Sequence, residues 1–184
     1  SACLPGQVRI GSVGKPFPDA NVKLWDEGEI LCQHDGCTAG YYKDATKTRE
    51  IFTDDGYLRT GDKGHLDKDG YLYITGRVKN ILVNSYGRNI SPEWVEAEIL
   101  ATGLFQQAVL IGDSKPFCIA ILTPFSSNIS EQRIDQALYM INQTLPDYAQ
   151  IKGRLILTQP MTYQQGLYTA NGRPKRDVIN QKFT

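Results

Sequence analysis

Three stretches of this 184-residue chain place charged side chains on glycine-bearing, turn-prone backbone, and each could hold an oxygen-rich ligand. In the first, Asp55–Gly70 (DGYLRTGDKGHLDKDG), Asp62 directly follows Thr60 and Gly61. A carboxylate fixed on a turn accepts two vicinal hydroxyls at once, a charge-assisted arrangement that water rarely matches. An aspartate in a T-G-D run also serves simply to cap its own turn. In the second, Gly76–Glu96 (GRVKNILVNSYGRNISPEWVE), Arg77 offers a planar fork to a sugar or phosphate oxygen, or an ordinary surface ion pair. Within it, Gly87 of Ser85–Ile90 (SYGRNI) lets the backbone approach a thin ligand or adopt positive φ, and the same run reads as a plain turn before a helix. The third, Thr169–Asp177 (TANGRPKRD), holds Arg173 and Lys175 two residues apart. Polar loops separated by apolar segments imply a site assembled from distant parts of the chain. His65, with no partner nucleophile in view, reads as an exposed turn histidine.

The elements that must position these loops fall into two groups. Residues Ser1–Asp19 are rich in glycine and carry Pro16 and Pro18, which favour turns and extended backbone. NVKLW (Asn21–Trp25) and EILCQ (Glu29–Gln33) read as a hairpin, Asp44 caps a short helix toward Ile51, Phe52 reads as core, and YLRTGD and YLYIT are further strands. The expectation for Val8–Thr75 is a small antiparallel sheet or open barrel. Beyond the junction, Ser91 and Pro92 start a helix to about Ala101, with Trp94, Val95, Ile99 and Leu100 for its apolar face. Strands follow at Ala108–Ile111 and Phe117–Leu122, then a helix over Ser130–Leu145 closed by Pro146, a strand at Arg154–Leu157, and a terminal helix entered through Pro174. The fold class is α+β: a small β-barrel-like part, residues 1–75, followed by a helix-alternating α/β part, residues 76–184.

Lysine plus arginine number 20 and aspartate plus glutamate 20, so no global field recruits nucleic acid or an anionic membrane. Four cysteines (Cys3, Cys32, Cys37, Cys118) without a C-x-x-C pair, and two histidines, argue against zinc and fit reduced thiols in a cytoplasmic protein. Cys32 and Cys37 read as buried or incidental thiols, and Trp25 and Trp94 as core or interface aromatics. No apolar run is long enough to span a bilayer as a helix.

Taken in order and spacing, GEIL (Gly28–Leu31), GYYKD (Gly40–Asp44), YLRTGD (Tyr57–Asp62), GRVKN (Gly76–Asn80) and NGRPKRD (Asn171–Asp177) resemble the acyl-adenylate-forming ligases. That family includes acyl-CoA synthetases, peptide-synthetase adenylation domains and beetle luciferase. The resemblance implies that residues 1–75 complete the family's large domain and that residues 76–184 are its mobile domain. The large N-terminal α/β region, with its phosphate loop and acid pocket, is not recognisable here. It implies the C-terminal portion of an ATP- and Mg-dependent ligase that joins a carboxylic acid, fatty or otherwise aliphatic, to CoA through an acyl-adenylate. The chain alone is then expected to be inactive without that N-terminal region. Delivery to the pantetheine of an acyl carrier protein is an alternative acceptor, and a non-catalytic nucleotide- or carrier-binding module is a third reading.

By the same resemblance Asp62 and Arg77 bind the nucleotide, Lys79 is the hinge, and Ser85, Tyr86 and Gly87 line the pantetheine tunnel. The departure is in NGRPKRD, where Arg173 stands at the family's catalytic lysine and Lys175 lies two residues on. Lys175 is the favoured substitute, because a compact ammonium fits between a carboxylate and an α-phosphate better than a fork does.

Overall fold

The computed structural model describes residues 1–3 and 5–183, which divide into two compact units, one ending at Lys79 and the other starting at Asn80. The first unit is built on four antiparallel strands, β1 (Asn21–Leu24), β2 (Glu29–Gln33), β3 (Leu58–Leu66) and β4 (Leu72–Arg77), in sheet order β1-β2-β3-β4. Helix α1 (Ala45–Glu50) enters through Asp44, whose Oδ1 accepts from the Lys47 amide at 2.9 Å. Ile30, Leu31, Tyr71 and Leu72 are the buried apolar side chains of the first unit among the described residues, and Phe52 is half-buried where it bridges Leu58.

This sheet is open and not closed into a barrel. Among the described residues β1 and β4 do not pair, because the outer edge of β4 is taken by the N-terminal segment: Val13 N–H donates to Leu72 O and Leu72 N–H to Gly14 O. Gly14 at φ +86° suits that approach, since a Cβ there would lie 2.0 Å from the Ala2 carbonyl oxygen. The unit also extends four residues past Thr75, because Gly76 and Arg77 continue β4 opposite Lys63 and Asp62.

The strand expected at YLRTGD runs on through His65 and Leu66, so Asp62 lies on a strand as expected and His65 is a strand residue and not a turn residue. His65 is exposed and stacks on Tyr73 across the ladder, ring centroids 5.0 Å apart. Trp25 and Trp94 are 51% and 37% exposed, so of the two readings, core or interface aromatic, the core reading is corrected. Cys32 and Cys37 are half-buried free thiols with sulfurs 3.8 Å apart.

The second unit opens with a ribbon, β5 (Leu82–Val83) paired to β6 (Asn89–Ile90), followed by α2 (Pro92–Ala101). A three-stranded sheet, β7 (Phe105–Ile111), β8 (Cys118–Pro124) and β9 (Ile151–Ile156), pairs β7 antiparallel and β9 parallel to β8, with α3 (Glu131–Thr144) in the crossover. Helix α4 (Arg176–Phe183) ends the described chain. The two-residue period of strands explains the nearly continuous apolar runs, since both faces of this sheet are covered. Ala108, Leu110, Ala120 and Leu122 join Val95, Ile99, Ile134, Leu138 and Ile141 in one core. Val109, Ile111 and Ile121 join Met161, Leu167 and Ile179 in another. Ser130 caps α3 by accepting from the Arg133 amide. On α2 the buried positions are Pro92, Val95, Glu96 and Ile99, so a carboxylate occupies the core-facing stripe and Trp94 and Leu100 are turned outward.

Candidate functional site

In the first unit, the bulges in β3 and β4 account for where Asp62 and Arg77 stand. Pairing with β2 runs from Leu31↔Arg59 to Glu29↔Lys63, so β3 carries more residues than its partner across this interval, and Thr60-Gly61-Asp62 are accommodated there. Such inserts re-aim side chains. Gly61 takes φ +69°, a left-handed conformation that suits glycine. Thr60 Oγ1 donates to Ile30 O at 2.7 Å and accepts from the Asp62 amide at 3.1 Å. Glu29, only 5% exposed, accepts from Arg59 through Oε2 at 2.7 Å and from the Gly61 amide through Oε1 at 3.3 Å. That hydrogen bond and charge hold the Arg59 guanidinium above the ordinary arginine range. Asp62 then faces Arg77 in register, and Arg77 Nε reaches Asp62 Oδ1 at 2.8 Å with both side chains partly exposed. The two sequence-read binding residues are therefore one ion pair. Lys79 lies on the 3-10 turn Val78–Asn80, exposed, as the last residue of the first unit.

In the second unit, Ser85, Tyr86 and Gly87 are exposed on the loop that joins β5 to β6. Its template is Asn84, which is 3% exposed: its Oδ1 accepts from the Tyr86 amide at 3.0 Å and the Arg88 amide at 2.9 Å. Gly87 closes the turn at φ +73°, its amide donating to Asn84 O. The loop is tied to the β7–β8 turn, because Ser85 N–H donates to Lys115 O, Ser114 N–H to Val83 O, and Val83 N–H to Asp113 Oδ1.

Arg173 and Lys175 are both exposed, on a second loop closed by Thr169. Its amide donates to Arg173 O at 2.8 Å and its Oγ1 accepts from the Arg173 amide at 3.0 Å, while the Lys175 amide donates to Leu167 O at 2.8 Å. Gly172 takes φ +77° within the turn. The result is a rigid backbone presenting two cations, able to stabilise negative charge that develops beside it. Immediately after it, Arg176 is drawn inward onto Glu96 by two bonds of 2.7 Å.

Composition and motif reading left out Glu29, Asn84, Glu93, Glu96 and Arg176. For Glu96 a signal existed: it sits at helical spacing from Pro92 and Ile99, on the buried stripe. For the others the partner lies far along the chain or in the backbone. Among the described residues no group of three or more His, Cys, Asp or Glu could hold a metal ion, and no helix is long and apolar enough to cross a membrane.

A family model described as the AMP-binding enzyme C-terminal domain matches residues 79–184. The long-chain-fatty-acid–CoA ligase FadD15 of Mycobacterium tuberculosis is 34% identical over 199 residues, covering 96% of this chain and 33% of that protein. The sulfoacetate–CoA ligase of Cupriavidus necator is 41% identical over 126 residues, covering 61% of this chain and 24% of that protein. Among solved structures, the anthranilate CoA ligase AuaEII in complex with anthranoyl-AMP superposes with a TM-score of 0.81 at 25% identity, over 97% of this chain and 36% of that one. The chain thus spans about a third, or less, of the length of the curated relatives it matches.

Proposed function

The chain belongs to the AMP-binding, acyl-adenylate-forming enzyme family, and on that premise we propose that it is the C-terminal portion of an ATP-dependent carboxylic acid–CoA ligase. The observation that carries this reading is the likeness to a CoA ligase along 96% of the chain. The acid is a fatty or other aliphatic acid in this reading, although the relatives named above span long-chain, sulfonated and aromatic acids, so the choice of acid rests with the rest of the protein.

Each loop takes a role its geometry supports. Asp62 accepts the ribose hydroxyls, with Arg77 beside it to orient the carboxylate and meet a sugar or phosphate oxygen. Lys175, with Arg173 next to it, supplies the cation that bridges the acid's carboxylate and the α-phosphate as that oxygen attacks and pyrophosphate leaves. Lys79 is the hinge on which the second unit turns to present the Ser85–Gly87 loop, along which pantetheine of CoA enters for thioester formation. Magnesium would be held largely by phosphates and by residues beyond this chain. A carrier protein's pantetheine is the alternative acceptor.

The test is carboxylate-dependent ATP–pyrophosphate exchange, run on this chain alone and on the full-length protein that contains it. Exchange by the full-length protein and silence from the isolated chain are expected. In the full-length protein, Lys175→Ala should lower adenylation kcat by about a hundredfold or more, and Arg173→Ala by less. Silence from both proteins with folding intact would overturn the ligase reading in favour of a non-catalytic module.

A further inference from the structure

The cationic loop is anchored by a buried ionic network that also reaches the hinge. Glu96 and Arg176 meet fork to fork: Nη1 donates to Oε1 and Nη2 to Oε2, both at 2.7 Å, and Oε1 also accepts from the Leu110 amide at 2.7 Å. Glu93, one turn earlier on α2, accepts from Arg176 Nη2 at 3.3 Å and from Asn80 Nδ2 at 2.5 Å through the same Oε1. Asn80 directly follows Lys79, and Arg176 directly follows Lys175. The network therefore runs from the residue after the proposed hinge to the residue after the proposed catalytic lysine.

Its cost argues for a positional role. Glu96 is 7% exposed, the Arg176 side chain is 11% exposed, and Arg176 Nε is buried without a partner among the described residues. Burial pushes the Glu96 carboxyl up, against the opposing pull of Arg176. A well-packed apolar pair would join α2 to α4 at lower cost, so packing alone does not account for two buried charges. What a bidentate pair adds is direction, because the guanidinium fork fixes both the distance and the angle of the backbone carrying it. Tyr168 at the other end of the loop lies beside the same charges: burial and then Glu96 push its hydroxyl up to about 12. Both flanks of Thr169–Lys175 thus stand against one network, while Ile179 secures α4 in the apolar core.

We propose that Arg176, held by Glu96 and Glu93, is the positioning residue of the cationic loop, and that Asn80 links the hinge segment to the same network through Glu93. The catalytic consequence rests on the ligase reading; the structural one does not.

Amide hydrogen exchange on the 184-residue chain tests the structural part. Arg176→Lys keeps the charge and removes the fork, so exchange in residues 169–177 should rise about tenfold while β7, β8 and β9 stay as protected as in the parent chain. Asn80→Ala, which leaves the Glu96–Arg176 pair intact, should raise it by a smaller factor of about three. An unchanged loop, or an equal rise across the whole second unit, overturns the positioning role; a response to Arg176→Lys alone overturns the link to the hinge. In the full-length protein Arg176→Lys should lower adenylation kcat about tenfold with the KM for ATP within about twofold, the mark of a misplaced group and not a lost contact. A matching rise in KM, or no fall in kcat, overturns the catalytic part. If the unmodified full-length protein shows no carboxylate-dependent exchange, the ligase reading and that catalytic part fall together, and the hydrogen-exchange outcome still decides the rest.

Discussion

Asp62 and Arg77 form one ion pair, and in the proposed role that pairing bears on how tightly a nucleotide is held. The carboxylate is held by its neighbour at 2.8 Å, so in the proposed role a ribose meets an acceptor already fixed in direction. Charge-assisted hydrogen bonds contribute roughly 1.5–3 kcal/mol each, so Asp62→Ala in the full-length protein should raise the KM for ATP on the order of tenfold to a hundredfold. The kcat should change far less; an unchanged KM in steady-state kinetics would remove Asp62 from the binding site. At this scale the motifs nominate Asp62, Arg77, Arg173 and Lys175, and the structure pairs the first two and exposes the last two on one loop. The sequence was silent on Glu29 and Arg176, because a buried charge is defined by its partner, and their partners lie 30 and 80 residues away.

Strand β3 shows how T-G-D turn chemistry fits inside a strand. Thr60-Gly61-Asp62 has turn chemistry because a bulge borrows it: the extra residues need a left-handed glycine and side-chain acceptors for amides that leave the ladder. The flanking Leu58, Arg59 and Lys63 still pair with β2, so the element continues through the insert. Two glycines in it serve different purposes. A Cβ on Gly61 would meet nothing within 4 Å, so Gly61→Ala costs only the left-handed backbone, about 1–2 kcal/mol. A Cβ on Gly64 would lie 2.1 Å from Tyr73 O and 2.8 Å from Ile30 Cδ1, forcing β3 off β4, so Gly64→Ala should cost roughly 2–3 kcal/mol. Urea unfolding of the two variants should rank them in that order; the reverse order would contradict the bulge geometry. Helix α2 shows the complementary limit of pattern reading: Val95 and Ile99 fall on the expected face, but Glu96 in place of Leu100 on that face depends on an arginine at the far end of the chain.

For the whole molecule, the α+β division and the antiparallel sheet of the first part were legible from strand-rich and helix-alternating halves, while the segment that covers the edge of β4 was not, because that depends on long-range pairing such as Val13 and Gly14 on Leu72. The two units differ in what they bury. The first rests on Ile30, Leu31, Tyr71 and Leu72, whereas the second covers both faces of its sheet with two apolar clusters. Burial of apolar area is the main favourable term in folding, so the first unit is the less stable and the chain should not unfold as a single two-state body. Its cysteines report this. Burial pushes the Cys118 thiol up to about 11 in the second unit, and burial and then Cys37 push Cys32 up to about 11 in the first, which lowers the reactive thiolate on the order of a hundredfold for each. Unfolding restores ordinary thiols. In alkylation pulses along a urea series, Cys3, which is exposed, should label throughout, Cys32 and Cys37 at a first transition, and Cys118 only at a higher one. Simultaneous labelling of Cys32 and Cys118 at one urea concentration would mean that the chain unfolds cooperatively, and that the smaller core borrows stability which its own residues do not supply.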